Sequence, residues 1–107
     1  MHVAHGRRAI RIGRAISADL HISEQSVSRR HALLIAHGAG HRILDDRSFN
    51  GTFVNGERVD QRDLSSGDII TLGRVDLLYI GRVLAAAGDE LTAAAQVGAR
   101  LVQQDRG

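Results

Sequence analysis

Three short stretches of the chain contain the side chains that bind anions. Residues 26–31 (SVSRRH) combine two hydroxyls, two guanidinium groups and an imidazole. Ile12-Gly13-Arg14 places an arginine where an apolar run ends, and Asn50 lies in a polar stretch just before another apolar run. Arginine, a serine hydroxyl, backbone N–H groups and an amide together suit a phosphate, which carries about two negative charges and three acceptor oxygens. These residue types therefore favour phosphate binding.

Both asparagines of the chain are followed by glycine. Asn55-Gly56 lies between the short runs TFV and ERV and predicts a β-hairpin with a type I′ turn. Asn50-Gly51 follows residues 45–49 (DDRSF), which do not look like a strand. The Asn50 side chain could close an Asx turn or present its amide to a ligand, and the spacing alone leaves both interpretations open.

Other chemistries find less support. Ser28 and His31, with Asp45 or Asp46, raise the alternative of a hydrolase, but there is no GxSxG elbow and no evident oxyanion hole. We therefore predict no enzyme activity. The six histidines are scattered, no cysteine is present and no GxxxxGK[ST] occurs, so we predict neither a metal site nor any other cofactor.

Composition predicts one folded domain in a reducing compartment. The chain has 107 residues, 43% of them apolar, and it contains no cysteine. No apolar run is long enough to span a membrane, and the N-terminus lacks the apolar run of a signal peptide. We therefore expect no membrane insertion and a cytoplasmic location.

The charge pattern raises a nucleic-acid binder as an alternative. The net charge is +2, and all fourteen basic residues are arginine. These could form a basic face, but twelve acidic residues are interspersed and only three aromatic residues could stack on bases. We therefore expect no nucleic-acid partner.

Many short apolar runs separated by turn residues predict an all-β domain, an antiparallel sandwich or barrel, over residues 1–82. The predicted strands are 9–12, 20–22, 32–36, 41–44, 52–54, 57–59, 69–72 and 75–80. Within the tail, residues 83–107, apolar side chains recur at helical spacing from Leu91 to Val102. We expect that tail to be an Ala-rich helix or a linker toward a following region.

Several blocks together resemble the forkhead-associated (FHA) domain. They occur in order, with spacing similar to that of the family, over roughly residues 9 to 80. The blocks are Gly13-Arg14, residues 19–22 (DLHI), 27–31 (VSRRH), 48–56 (SFNGTFVNG) and 64–70 (LSSGDII). The resemblance implies a β-sandwich of about eleven short strands, whose loops at one end recognise phosphothreonine in partner proteins.

The resemblance also implies roles for individual residues. Arg14 and Ser28 would contact the phosphate, and Arg29 would contribute a backbone N–H or its side chain. Asn50 would bond the peptide main chain beside the phosphothreonine. Phe49 stands where many family members carry threonine, serine or a basic residue, so a phosphate hydroxyl is missing, although its backbone N–H could still serve.

Further residues would support the site or read the partner sequence. The implied supporting residues are Gly13, His31, Gly51, Asn55 and Gly56. Ser26 and Arg74 are candidate specificity residues. Arg74 lies where the family often reads the third residue after the phosphothreonine, which implies a preference for an acidic residue there.

The resemblance finally implies partners. These are a phosphothreonine-containing protein, bound in cis or in trans, and a Ser/Thr protein kinase that phosphorylates it. The chain is similar to FHA modules fused to other domains in bacterial proteins, including some transporters. The alternatives are a basic nucleic-acid-binding domain and a purely structural or oligomerising β domain.

Overall fold

A computed structural model of the chain describes residues 9–81 and 99–105. These residues form ten strands and no helix, so no helix among them could cross a membrane. The strands are β1 (Ala9–Gly13), β2 (Leu20–His21), β3 (Ala32–His37), β4 (Gly40–Asp45), β5 (Thr52–Val54), β6 (Glu57–Val59), β7 (Gln61–Asp63), β8 (Ile69–Leu72), β9 (Val75–Gly81) and β10 (Ala99–Gln104).

The strands form two sheets of five strands each. The first has the order β2-β1-β3-β4-β7 and the second the order β10-β9-β8-β5-β6. All neighbours are antiparallel except β1 and β2, which are parallel, with Ile12 opposite Leu20. This architecture is the predicted β-sandwich.

The core lies between the two sheets and is almost entirely aliphatic. Alternate residues of a strand point to one face, so Ile10 and Ile12 of β1 are both buried while Arg11 between them is exposed. Both sheets and the loop between β2 and β3 contribute to one cluster. Its members are Ile10, Ile12, Ile22, Val27, Ala32, Leu34, Ile43, Val54, Val59, Ile70, Leu72, Val75, Leu77, Tyr79 and Leu101.

All eight predicted strands are present, and the sequence analysis missed two more. Strand β7 was missed because its residues, Gln61-Arg62-Asp63, are polar and form an edge. It pairs with β4 through the backbone and through an ion pair between Arg42 and Asp63, with Nε 2.6 Å from Oδ1. An edge strand needs no apolar pattern when its partner strand supplies the buried residues.

In the tail, where we expected a helix or a linker, residues 99–104 instead form strand β10. This strand pairs with β9 along six residues, with Leu101 opposite Tyr79. Leu101 is buried in the core, whereas Arg100 and Gln103 are exposed. The open edge of β9 therefore overrides the weak helical spacing, and the domain extends beyond the expected end at residue 82. The rest of the expected helix or linker lies outside the described residues.

The Asn55-Gly56 turn has the predicted backbone conformation. Both residues have positive φ, 51° and 84°, as a type I′ turn requires. The Asn55 side chain also holds the hairpin against the start of β8. Its Nδ2 donates to Asp68 Oδ1 and its Oδ1 accepts the N–H of Ile69, both at 2.9 Å. This asparagine therefore has a structural function in addition to its turn conformation.

One polar pair lies inside the sandwich. His41 of β4 and Tyr79 of β9 are buried, and His41 Nδ1 is 2.8 Å from the Tyr79 hydroxyl. The pair joins the two sheets by a side-chain hydrogen bond. Burial lowers the pKa of His41 and raises the pKa of Tyr79 above their ordinary values.

Candidate functional site

The end of β1 packs directly against the loop between β2 and β3. A Cβ on Gly13 would lie 2.1 Å from the carbonyl oxygen of Arg29, so only glycine fits there. The Arg14 N–H donates to the carbonyl of Ser28 at 2.9 Å, and Arg14 Nε donates to the carbonyl of Val27 at 3.0 Å. These bonds fix the Arg14 backbone and the Nε atom of its guanidinium beside Ser28. Its two terminal nitrogens have no partner within residues 9–81 and 99–105.

Ser28 joins this loop to the one between β4 and β5. Its Oγ accepts the N–H of Phe49 at 2.9 Å, which leaves the hydroxyl proton for another acceptor. The Phe49 N–H expected to serve a phosphate is therefore already used inside the protein. The Arg29 N–H has no hydrogen-bond partner among the described residues. It is therefore available as the backbone donor to phosphate that the family resemblance implies, whereas the Phe49 N–H is not.

His31 lies between the same two loops and is fully buried. Its Nδ1 accepts the N–H of Ser28 at 3.0 Å. Nε2 must then carry the ring proton in the neutral form, and it donates to the carbonyl of Gly51 at 2.8 Å. Both nitrogens of the imidazole are therefore used in hydrogen bonds that connect the two loops.

Asp45 organises the loop that carries Asn50, and the sequence analysis did not assign it this function. Its carboxylate accepts hydrogen bonds from the Ser48 N–H, the Ser48 hydroxyl and the Thr52 hydroxyl. Ser48 Oγ in turn accepts the N–H of Gly51 at 2.9 Å. Burial alone would raise the pKa of Asp45, but the bonds from Ser48 and Thr52 outweigh it and lower that pKa. In the sequence, an aspartate three residues before a serine could have indicated that Asp45 organises this loop.

The Asn50 side chain bonds the neighbouring loop and does not close an Asx turn. Its Nδ2 donates to the carbonyl of Ser26 at 2.9 Å, and the residue is exposed. The amide oxygen has no partner among the residues described. Of the two interpretations left open by the sequence, the geometry favours an amide that faces solvent and can bind a ligand.

Ser26 also connects these loops to the turn between β8 and β9. Its Oγ accepts the N–H of Arg74 at 2.8 Å, and a Cβ on Gly73 would lie 2.4 Å from that same Oγ. Hydrogen bonds from Ser26 are the main cause that lowers the pKa of Glu24, and the charge of Arg74 adds to the effect. The exposed Arg74 therefore lies at the same end of the sandwich as Asn50, with Glu24 nearby.

Arg58 is a second residue that the sequence analysis missed. Gly51 has a φ of 91°, and a Cβ there would lie 3.0 Å from both Cζ and Nε of Arg58. The guanidinium therefore packs on Gly51, next to Asn50. Arg58 is exposed and forms no ion pair in the described part of the chain. Nothing in the local sequence marks this arginine, because its position depends on the pairing of β5 with β6.

The structure thus brings almost all the predicted site residues together at one end of the sandwich. Hydrogen bonds or close packing connect Gly13, Arg14, Ser26, Ser28, Arg29, His31, Phe49, Asn50, Gly51 and Arg74. The Asn55-Gly56 turn is held instead by Asp68 and β8. In the regions described, no three acidic or histidine side chains group as metal ligands do.

These guanidinium, hydroxyl, amide and backbone N–H groups lie together at one end of a β-sandwich, and donors of these types suit an anionic ligand. The family model for the FHA domain matches residues 10–73, more than half of the chain. The chain belongs to the FHA family.

Particular relatives are similar over parts of their length. The chain is 47% identical to the ABC transporter ATP-binding/permease protein Rv1747 of Mycobacterium tuberculosis over 83 residues, 78% of this chain and 10% of that protein. It covers 42% to 48% of several shorter curated relatives.

Solved structures agree with this assignment. The FHA-2 domain of the M. tuberculosis transporter Rv1747 is 35% identical, with a TM-score of 0.65 over 98% of this chain and 88% of that one. An FHA domain studied for phosphothreonine-dependent interactions is 33% identical, with a TM-score of 0.65 over 67% of this chain and 75% of that one.

Proposed function

We propose that this domain binds a phosphothreonine-containing segment of a partner protein and has no catalytic activity of its own. The observation that carries the proposal is the junction of Arg14 with Ser28, which the glycine at position 13 permits. Both residues are partly exposed, and within the described residues the terminal nitrogens of Arg14 and the hydroxyl proton of Ser28 have no acceptor. Phosphothreonine recognition by an FHA neighbour supports this interpretation.

The binding step needs little rearrangement. The terminal nitrogens of Arg14, the Ser28 hydroxyl and the Arg29 N–H would donate to the phosphate oxygens, and bonds to a charged acceptor are roughly twice as strong as neutral ones. The Asn50 amide would bond the ligand main chain through its open oxygen. Because an unphosphorylated threonine offers neither the charge nor the acceptors, phosphorylation would switch binding on.

We expect phosphothreonine peptides to bind and their unphosphorylated versions not to bind. Fluorescence anisotropy against a degenerate phosphothreonine library, with phosphoserine and unphosphorylated libraries beside it, measures this. Arg14→Ala should weaken binding by about a hundredfold, since it removes a charged hydrogen-bond partner. Arg11→Ala removes an exposed arginine of β1, the strand that immediately precedes Arg14, and is the matched control.

Two results would contradict the proposal. The first is equal affinity for phosphorylated and unphosphorylated peptides. The second is stronger binding to unphosphorylated DNA or RNA, with affinity that falls steeply as salt rises, which would favour the nucleic-acid alternative. Circular dichroism of Arg14→Ala should match the parent protein, so that lost binding is not lost folding.

The partner would lie either in the same longer chain or in another protein. The chain spans a tenth of the transporter relative, which supports a module within a larger protein. A Ser/Thr protein kinase would create the ligand. Such a kinase and the cysteine-free composition are the reasons to place the module in the cytoplasm.

A further inference from the structure

Two large apolar side chains are exposed in the described part of the chain, and both lie on the loops of the candidate site. Ile16 is 86% exposed and Phe49 is 89% exposed. Ile16 follows the end of β1, and Phe49 immediately precedes Asn50. We refer to these two side chains as the apolar rim.

Hydrogen bonds hold both sides of the rim to consecutive residues of one loop. The N–H of Ala15, next to Ile16, donates to the carbonyl of Arg29 at 3.1 Å. The N–H of Phe49 itself donates to Ser28 Oγ at 2.9 Å. The backbone at each rim residue is therefore fixed relative to Ser28 and Arg29, the centre of the proposed phosphate site.

The rim does not contribute to the core that the described residues form. Neither side chain belongs to the core cluster of the sandwich. Exposed apolar groups gain roughly 25 cal/mol for each Å² that a partner covers, and aromatic residues in particular anchor protein interfaces. Two such groups on loops with fixed backbones, beside a site for a charged ligand, indicate a second contact with that ligand.

We propose that the apolar rim binds a large aliphatic or aromatic side chain of the phosphorylated partner, near its phosphothreonine. This inference rests on the proposed phosphothreonine function and names one feature of the partner. The occupant is assigned to the phosphopeptide because the rim is continuous with the phosphate-binding loops. An extended peptide advances about 3.3 Å per residue, so the apolar residue lies within a few positions of the phosphothreonine.

The two parts of the site would differ in their response to salt. Phosphate binding by Arg14 weakens as ionic strength rises, because salt screens exposed charges. Apolar contact with Ile16 and Phe49 does not depend on charge. The partner would therefore be selected by one phosphate and one apolar side chain, and the affinity difference between partners with and without that side chain would persist in high salt.

The test uses an alanine-based phosphothreonine peptide with a single leucine moved from four residues before the phosphothreonine to four residues after it. We expect leucine at one or two positions to raise affinity about tenfold, as burial of part of one apolar side chain would. Phe49→Ser and Ile16→Ser should each reduce this gain, and the double variant should abolish it. The affinity ratio between the leucine-containing and leucine-free peptides, measured within each variant, isolates this gain from any change in binding of the leucine-free peptide.

Each other outcome overturns the assignment. If leucine has no effect at any position while phosphopeptides still bind, the apolar rim is not a binding surface for the partner and the phosphothreonine function stands. If leucine still raises affinity in the double variant, the apolar rim is likewise not the binding surface, and the phosphothreonine function again stands. If no phosphopeptide binds, both proposals fail. If sedimentation shows a dimer that the double variant dissociates, the rim instead binds a second copy of this chain.

Discussion

The candidate site depends on single residues that hold loops, as well as on those that face a ligand. Asp45 is an example, because its carboxylate accepts three hydrogen bonds from Ser48 and Thr52. Those bonds fix the stretch that ends in Asn50 and Gly51. His31 holds the same stretch from the other side, through the carbonyl of Gly51. Two buried or partly buried side chains therefore fix the backbone around the exposed Asn50.

Asp45→Asn should weaken both the loop and the binding of phosphopeptides. An asparagine amide can accept through its oxygen only, so at least one donor on Ser48 or Thr52 loses its partner. An unpaired donor at a partly buried site costs about 1–3 kcal/mol in the free energy of unfolding. We expect a fall of that size in chemical denaturation, with phosphopeptide affinity about tenfold lower because the Asn50 loop is less ordered.

Asp46→Asn is the matched control for that substitution. Asp46 carries a carboxylate next in sequence, but its partner at 3.2 Å is the exposed guanidinium of Arg30, and solvent screening of that partner keeps the contribution of the pair small. This variant should keep stability and affinity close to those of the parent protein. Equal effects of the two variants would mean that general negative charge, and not the Asp45 hydrogen bonds, supports the loop.

Much of the candidate site could be predicted from the sequence, and the remainder depends on tertiary contacts. Arg14, Ser28 and Asn50 belong to local motifs, so their positions in a loop can be read from short stretches. Arg58 has no such motif and reaches Gly51 only because β5 and β6 pair. The bond between the Phe49 N–H and Ser28 Oγ joins residues 21 apart in sequence, and no spacing rule indicates it.

The strands also divide into those that the sequence predicts and those that depend on tertiary contacts. Eight strands had apolar patterns that a sequence reader can recognise, and all eight exist. Strands β7 and β10 were missed because their formation depends on the partner strand: β7 is polar, and β10 follows an Ala-rich stretch with helical spacing. The hairpin between β5 and β6 is the best-specified element, because one dipeptide sets both its turn and its register.

Asn55→Ala should destabilise the fold without weakening phosphopeptide binding. Alanine tolerates the positive φ of position 55 poorly, and it loses the two side-chain bonds to Asp68 and Ile69. We expect a loss of about 1–3 kcal/mol. A domain of this size should then melt several degrees lower, since each kcal/mol shifts Tm by about 4–8 °C.

Asn55→Gly separates the two contributions. Glycine accepts the positive φ but has no side chain, so the difference between this variant and Asn55→Ala measures the strain that alanine adds to the turn, less the larger backbone entropy that glycine loses on folding. Differential scanning calorimetry gives both melting temperatures, and anisotropy gives both affinities. Unchanged melting together with lost binding would place Asn55 in the ligand site and contradict its structural assignment.

At the scale of the whole molecule, the site spans both sheets. Ser26, on a loop of the first sheet, bonds Arg74 at a turn of the second. His41 and Tyr79 join the sheets again inside the core. Because the loops are fixed by contacts between the sheets, any condition that loosens the sandwich also reduces the population that can bind a phosphopeptide.

Low pH is such a condition, and the pKa of His41 determines whether it raises or lowers the stability of the fold. Burial lowers the pKa of this imidazole in the folded protein below the ordinary value of 6.5. The unfolded chain therefore binds the proton more readily, and the stability contributed by neutral His41 is complete only above that value. It decreases as pH falls through 6.5 toward the lower pKa of the folded state. Asp45, whose pKa is also lowered, adds a second loss below its ordinary value of 3.8.

We therefore expect the urea midpoint of the domain to fall from pH 8 to pH 5, well before the carboxylates titrate. His41→Gln should be less stable at pH 8, where its amide replaces a fitted imidazole, but its midpoint should change less between pH 8 and pH 5. His37→Gln alters an exposed histidine at the tip of the neighbouring strand and is the control. An equal fall of the midpoint in His41→Gln and in the parent protein would show that the buried imidazole does not govern the response to acid.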